Sequence, residues 1–287
     1  MNVALVGVGN MGAPMAACIA RAGHAVTVFD SSQPQARKVA AEIGCRAAAT
    51  LEELAEAQFV ITMLPTGQVV SDLYLRDGLA AQLRRGSIAI DMSSSDPTGT
   101  RRLGAALAER GIALIDAPVS GGVPRAAQGT LAIMIGGDDR EAIERAKPLL
   151  RAMGDRLFDT GGLGTGHAMK ALNNFVAAAG FAACAEALIA GERFGLDPTR
   201  MVEILNVSTG RNFHTDVVLR EQVISGKFAT GFALGLLAKD VKIAADLTRD
   251  LNFDAPLVRL VSARFDQARD ALGYSRDNSE AINAWKG

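Results

Sequence analysis

Cysteine is scarce in this chain: Cys18, Cys45 and Cys184 are the only three in 287 residues, too few and too scattered for a disulfide framework or a zinc site. Each lies in an apolar stretch, as buried free thiols do, and a reducing compartment is expected. An excess of either charge is also missing, with 30 basic residues against 31 acidic ones and no lysine-rich or arginine-rich run. The electrostatic footprint of a nucleic-acid binder is therefore absent, and small molecules are the expected partners. No basic leader precedes the apolar start Val3 to Val8 and no cleavage site follows it, so this segment reads as a strand rather than a secretion signal. The most apolar long stretch, Phe175 to Ala190, is broken by Glu186 and preceded by Lys170, Asn173 and Asn174, which argues for a buried helix and against a membrane span. A cytoplasmic protein without a membrane partner is expected. Internal repeats and low-complexity tracts are missing as well.

Hydrophobic residues make up 49% of the chain, enough for a large core and for two domains. Through about residue 160, short β-rich apolar runs alternate with helical segments, the pattern of a doubly wound and mostly parallel α/β sheet. The strand candidates are Asn2 to Val8, Ala25 to Phe29, Phe59 to Met63, Ser87 to Asp91, Ala113 to Ile115 and Leu131 to Ile135. Thr50 with Glu53 reads as a capping box, and Asp96-Pro97 as a cap followed by proline in the first turn. A helix is expected from about Arg140 to Met153. After Gly161-Gly162-Leu163-Gly164 the strand signals stop, and the remainder reads as helices broken at Gly195, Pro198, Gly210, Gly231 and Pro256. The expected organisation is a Rossmann-type nucleotide domain over 1–163 and an all-helical domain over 164–287. The first helix of the second part, about Thr165 to Phe194, would span roughly 45 Å. A helix so long and apolar needs partners on several sides, and a homodimer or homotetramer would supply them.

Gly7-x-Gly9-x-x-Gly12 follows the first strand and opens a helix, the context a dinucleotide fingerprint requires. Gly7 permits the tight turn, Gly9 admits the pyrophosphate to the backbone, and Gly12 allows close packing of helix on strand. Asp30 ends the second strand, where a carboxylate can accept hydrogen bonds from the adenosine ribose. Its charge would oppose the 2′-phosphate of NADP, and Ser31 and Ser32 bring no arginine to offset it, so NAD is the expected cofactor. Arg37, further along, is the cation that would have to swing back for NADP.

Two later segments carry the chemistry. Asp116-Ala117-Pro118-Val119-Ser120-Gly121-Gly122 leaves a strand end, and its Ser-Gly-Gly turn can present successive N–H groups and a hydroxyl to a carboxylate, or be a plain loop. In Gly164-Thr165-Gly166-His167-Ala168-Met169-Lys170-Ala171-Leu172-Asn173-Asn174, Lys170 and Asn174 stand four apart on one helix face. Hydride transfer at a hydroxyl carbon needs a group that takes and returns the hydroxyl proton, and Lys170 can do so if burial or a nearby cation keeps part of it neutral. Lys239, followed by Asp240, is a candidate for that cation or for a cofactor contact. His167, one turn before Lys170, is the rival base. Arg125 and the segment Ser208 to His214 can reach the far end of a substrate or be surface.

Taken together, the fingerprint with Asn10, Met11 and Gly12, the Asp116 to Gly129 segment, the Gly164 to Asn174 segment and Lys239-Asp240 resemble the β-hydroxyacid dehydrogenases over essentially the full length. The resemblance implies Lys170 as catalytic acid/base, Asn174 as a substrate-positioning residue, and Ser120, Gly121 and Gly122 as the carboxylate site. It further implies that Gly7, Gly9, Asn10, Met11, Gly12, Asp30, Leu64, Pro65, Ser94 and Lys239 hold the cofactor, with no metal. The expected reaction interconverts a 3-hydroxy acid and its semialdehyde or ketone. Two other readings remain. Oxidative decarboxylation of the 6-phosphogluconate type would ask for a larger helical domain and a cation cluster for a sugar phosphate. A non-catalytic NAD-binding regulator would ask for replacement of Lys170 or Asn174 and a partner-binding tail.

Overall fold

Runs rich in Val, Ile and Ala make strands that are apolar on both sides, which suits a parallel sheet covered by helices on both faces. The computed structural model describes residues 1–286. Strands β1 (Asn2–Val6), β2 (Ala25–Phe29), β3 (Arg46–Ala47), β4 (Phe59–Thr62), β5 (Ile88–Asp91) and β6 (Ala113–Asp116) run parallel in the spatial order β3-β2-β1-β4-β5-β6. β7 (Val119–Ser120) and β6 both pair antiparallel with β8 (Ala132–Gly136), and β9 (Arg156–Gly161) lies parallel to β8. Between them run α1 (Gly12–Arg21), α2 (Gln33–Ile43), α3 (Gly67–Leu75), α4 (Leu79–Gln82), α5 (Pro97–Ala108), α6 (Gly122–Gln128) and α7 (Arg140–Met153). Side chains alternate across β1. Val3 and Leu5 join Met15, Ile19 and Leu149 in one core, while Ala4 and Val6 join Val70, Leu79 and Leu107 in another. The strand order reverses between β1 and β4, and in such sheets the ligand crevice lies at the carboxyl ends of the strands at that point.

By internal packing the chain forms two units, Met1–Lys170 and the residues from Ala171 onward. The second unit takes the rest of α8 (Thr165–Phe194), then α9 (Pro198–Asn206), an eleven-residue π-helix at His214–Ile224, α10 (Leu234–Asp250), α11 (Pro256–Leu272) and α12 (Ala281–Trp285). Phe181, Leu188, Leu219, Leu237, Phe265 and Trp285 form its core. Trp285 meets Phe265 edge to face at 5.3 Å, donates Nε1–H to Arg264 O at 3.3 Å, and lies 4.8 Å beneath the Arg264 guanidinium. The helix α8 is long and apolar enough to cross a membrane by length and composition alone, and it is partly covered by the protein's own residues.

The helices at Arg140–Met153 and Thr165–Phe194 have the expected bounds, and Asp96 caps α5 by accepting from Thr98 N and Gly99 N. Three departures have local causes. β1 stops at Val6 because Gly7 turns to φ +93°. The two-residue β3 and β7 are too short to show a period, and β9 is a largely solvated strand with polar residues in it. Thr50 starts only a short 3₁₀ turn with no side-chain cap, its hydroxyl being bonded to Glu52, while Glu53 pairs with Arg46 and accepts from Ala49 N at 3.0 Å. The capping box forms instead at Asp277 and Glu280.

Candidate active site

At the reversal point, the turn after β1 is shaped for a close approach. A Cβ on Gly7 would lie 2.3 Å from Met63 O and one on Gly12 only 1.8 Å from Gly7 O, whereas one on Gly9 would meet nothing within 4 Å. Two glycines are thus required by the backbone, and the third faces open space. The first turn of α1 has no side-chain cap and no acid to repel an anion, and Ala13 N is bonded to Gly9 O at 3.0 Å. Asp30 is held by Val8 N on one oxygen and Ser32 N on the other, both at 2.9 Å. With Gly7, Leu64, Val69 and Leu73 it lines a cavity of about 270 Å³. The cation on this cavity is Arg76, not Arg37, and it is tied to Asp72 at 2.6 Å and to Asp77 at 3.0 Å. These features fit a dinucleotide: a glycine turn open at Gly9, a helix start without an acid, and a strand-end carboxylate beside a cleft.

The next strand ends are polar and buried. Asp91, at the end of β5, accepts from Thr62 Oγ1 (2.9 Å), Ser93 N (3.0 Å) and Ser95 Oγ (2.7 Å), while Ser93 Oγ accepts from Leu64 N at 2.9 Å. The loop of Leu64 and Pro65 and the loop of Ser94 are thereby tied together. Burial, and secondarily the charge of Asp91, pushes the Tyr74 hydroxyl well above the usual phenol range. Asp116, in register with Asp91 on β6 and fully buried, accepts from Gly164 N at 2.7 Å and His167 N at 2.8 Å. A strand-end carboxylate therefore caps α8, the helix that bears Lys170. His167 itself is buried, with Nδ1 bonded to Thr100 Oγ1 at 2.8 Å. Sealed from solvent, it is poorly placed to act as a base on a diffusible substrate.

Ser120 ends β7 rather than a plain loop, Gly121 has φ +133°, and Gly122, at φ +65°, begins the seven-residue α6. A Cβ on Gly121 would lie 2.5 Å from Arg125 Cδ. Gly121, Gly122 and Arg125 are exposed.

In the second unit, Asn174 is buried and its Nδ2 donates to Asp240 Oδ2 at 2.6 Å, with Lys239 Nζ 3.0 Å from the other carboxylate oxygen. The two C-terminal candidates, Asn174 and Lys239, are joined through one buried acid. Asp240 was named from sequence only as the neighbour of Lys239, because its bond to Asn174 spans 66 positions. Asn212 Oδ1 accepts from His214 N at 2.8 Å, its Nδ2 lies 3.3 Å from Cys184 Sγ, and His214 is buried with Nε2 2.7 Å from Ala177 O. Both side chains serve the start of the π-helix. Of that segment Phe213 stays largely exposed.

Residues 2–162 match the family model for the NAD binding domain of 6-phosphogluconate dehydrogenase, and residues 164–285 match that for the NAD-binding of NADP-dependent 3-hydroxyisobutyrate dehydrogenase. The chain is 37% identical to the 3-hydroxyisobutyrate dehydrogenase of Pseudomonas aeruginosa, covering 96% of each. It is 33% identical to the 2-(hydroxymethyl)glutarate dehydrogenase of Eubacterium barkeri, over 100% of this chain and 95% of that one. Among solved structures, a Mycobacterium tuberculosis 3-hydroxyisobutyrate dehydrogenase described with L-serine aligns at TM-score 0.91 and 34% identity, covering 100% of this chain and 99% of that one.

Proposed function

The chain belongs to the β-hydroxyacid dehydrogenase family, and from that premise we propose that it interconverts a small 3-hydroxy carboxylate and its semialdehyde or ketone, with NAD preferred over NADP. The observation that carries the reading is the helix α8, which bears Lys170 and, one turn on, an Asn174 whose amide is already oriented by Asp240. The nicotinamide, when bound, accepts or returns the hydride. Lys170 takes the hydroxyl proton in oxidation and gives it back in reduction, and Asn174 orients the reacting oxygen. Ser120, Gly121 and Gly122 receive the carboxylate. 3-Hydroxyisobutyrate, 2-(hydroxymethyl)glutarate and L-serine, named in the three relatives, each carry a hydroxyl on the third carbon from a carboxylate, in keeping with that spacing.

Gly7, Gly9, Asn10, Met11 and Gly12 would receive the pyrophosphate, Asp30 the adenosine ribose, and Leu64, Pro65, Ser94 and Lys239 the remainder of the cofactor. The preference for NAD rests on charge. Asp30, Asp72 and Asp77 line the ribose cavity, and its arginine is already engaged by two of them, so a 2′-phosphate would meet net repulsion. We assign residues 1–163 to cofactor binding and 164–287 to substrate binding and self-association as a homodimer or homotetramer. With Cys18, Cys45 and Cys184 unpaired, a reducing cytoplasm suits the protein.

The test is a panel of 3-hydroxyisobutyrate, glycerate, 3-hydroxypropionate, threonate, serine and 2-(hydroxymethyl)glutarate, followed by NADH absorbance. Lys170→Ala should lower turnover on the best of them by about two to four powers of ten, with NADH binding retained. Near wild-type turnover in that variant would refute the acid/base role.

A further inference from the structure

We propose that His167 is a positioning residue for Lys170, joining the first turn of α8 to the ends of β5 and β6 and, through Asp91, to the two loops assigned to the cofactor. The inference rests on the acid/base reading of Lys170.

His167 precedes Lys170 by three positions, so the two share one turn and one side of the helix. Its side chain is fully buried, between the ends of β5 and β6 and the first turn of α5. The backbone N–H is held by Asp116 Oδ2 at 2.8 Å, and Nδ1 is 2.8 Å from Thr100 Oγ1 in the first turn of α5. Nε2 has no hydrogen-bond partner and lies 3.6 Å from Asp91 Oδ2, the oxygen that accepts from Ser95. Thr100 Oγ1 also donates to Asp96 O at 3.0 Å and Nδ1 lies 3.9 Å from Asp116 Oδ2, so the imidazole sits between the carboxylates that end β5 and β6 and is bonded to α5 through Nδ1. Asp91 in turn holds Ser93 N, and Ser93 holds Leu64 N. A continuous run of contacts thus leads from Leu64 through Ser93 and Asp91 to His167.

Packing alone does not account for an imidazole here. A leucine of similar volume would fill the space without the desolvation of two ring nitrogens, one of them unbonded. What the imidazole adds is direction: it registers the first turn of α8 on Asp91, the carboxylate that holds the loops assigned to the cofactor. A small shift of that turn moves Lys170 Nζ, and a misplacement of about 1 Å at a reacting group can cost about 100-fold in rate.

The test uses His167→Leu, His167→Asn and Thr100→Val in the full chain, with kcat, KM for the best hydroxy acid, the NADH dissociation constant from nucleotide fluorescence, and Tm. His167→Leu and Thr100→Val are each expected to lower kcat about 10- to 100-fold, while KM and the NADH constant stay within about threefold. His167→Asn, whose amide can donate to or accept from Thr100 in place of Nδ1, should recover most of that loss. Wild-type kcat in His167→Leu overturns the proposal, as does an Asn variant no better than the Leu variant. Loss of NADH binding in step with kcat also overturns it, by making His167 part of the nucleotide site. Should His167→Leu not fold, Thr100→Val and His167→Asn decide the matter: low kcat in the first and near wild-type kcat in the second support the proposal, and any other pair refutes it. Lys170→Ala keeps the two readings apart. If it retains turnover the acid/base role fails, whereas an inactive Lys170→Ala beside a fully active His167→Leu refutes only the positioning role.

Discussion

Asp240 holds the amide of Asn174 from 66 positions away, and nothing in the local sequence around either residue announces that bond. Asp240→Ala should lower kcat/KM by about tenfold or more, the scale of a lost charge-assisted hydrogen bond, while Asp240→Asn, which keeps an acceptor, should lose less. Steady-state kinetics on the best hydroxy acid decide it, and equal losses would argue against orientation of the amide. The contrast with Asp30 is instructive. The candidacy of Asp30 is legible because the turn before it and the strand under it are contiguous in sequence, whereas Asp91, Asp116 and His167 meet only once the sheet has formed. His214 illustrates a second kind of hidden residue. Its segment reads in sequence as reaching a substrate or as surface, yet the residue is buried at the π-helix, and desolvation pulls its pKa below the ordinary histidine value. Below about pH 6.5 the unfolded chain binds a proton there that the folded chain refuses. Stability present above that pH is therefore lost as the pH falls toward the folded-state value. Tm should decline between pH 7 and pH 5, and His214→Gln should flatten part of that slope; an unchanged slope would discount this histidine.

Elements were legible in proportion to the length and regularity of their patterns. α7 has an Asp139 cap, seen in the bond from Ala142 N at 3.0 Å, and a clear apolar stripe, so both ends could be read. β3 and β7, with two residues each, have no pattern to read, and the π-helix differs from an α-helix in hydrogen bonding rather than in composition. Thr50 and Asp277 show why a motif needs its surroundings. Both are followed three residues on by a glutamate that pairs with an arginine, but the Thr50 hydroxyl is turned to Glu52, while Asp277 Oδ1 accepts from Ser279 N at 3.0 Å and completes the box. In the turn joining β1 to α1, Gly12 leaves no tolerance at all, since an added Cβ would sit 1.8 Å from Gly7 O. Gly12→Ala should push α1 off β1, weaken NADH binding by at least about tenfold and lower Tm, because overpacking at a close backbone approach costs about 1–3 kcal/mol. Unaltered nucleotide binding in a folded variant would show that the turn has slack.

At the scale of the whole molecule, the helical unit leaves large apolar side chains uncovered: Phe194 and Val207 are each 86% exposed, and Val176 is 66% exposed. A partner subunit would cover side chains of that kind. Light scattering at micromolar concentration should report a dimer or tetramer, and a stable monomer would rule out the proposed self-association. The near absence of tryptophan has a practical consequence. Trp285 is the chain's one indole and sits in the core of the second unit against Phe265 and Phe181. Emission excited at the red edge of the protein band therefore comes from the helical unit alone, while far-ultraviolet circular dichroism reads both units. Denaturation followed by the two signals together measures whether the units melt as one: coincident midpoints mean a single cooperative body, and separated ones give each unit its own stability without cutting the chain.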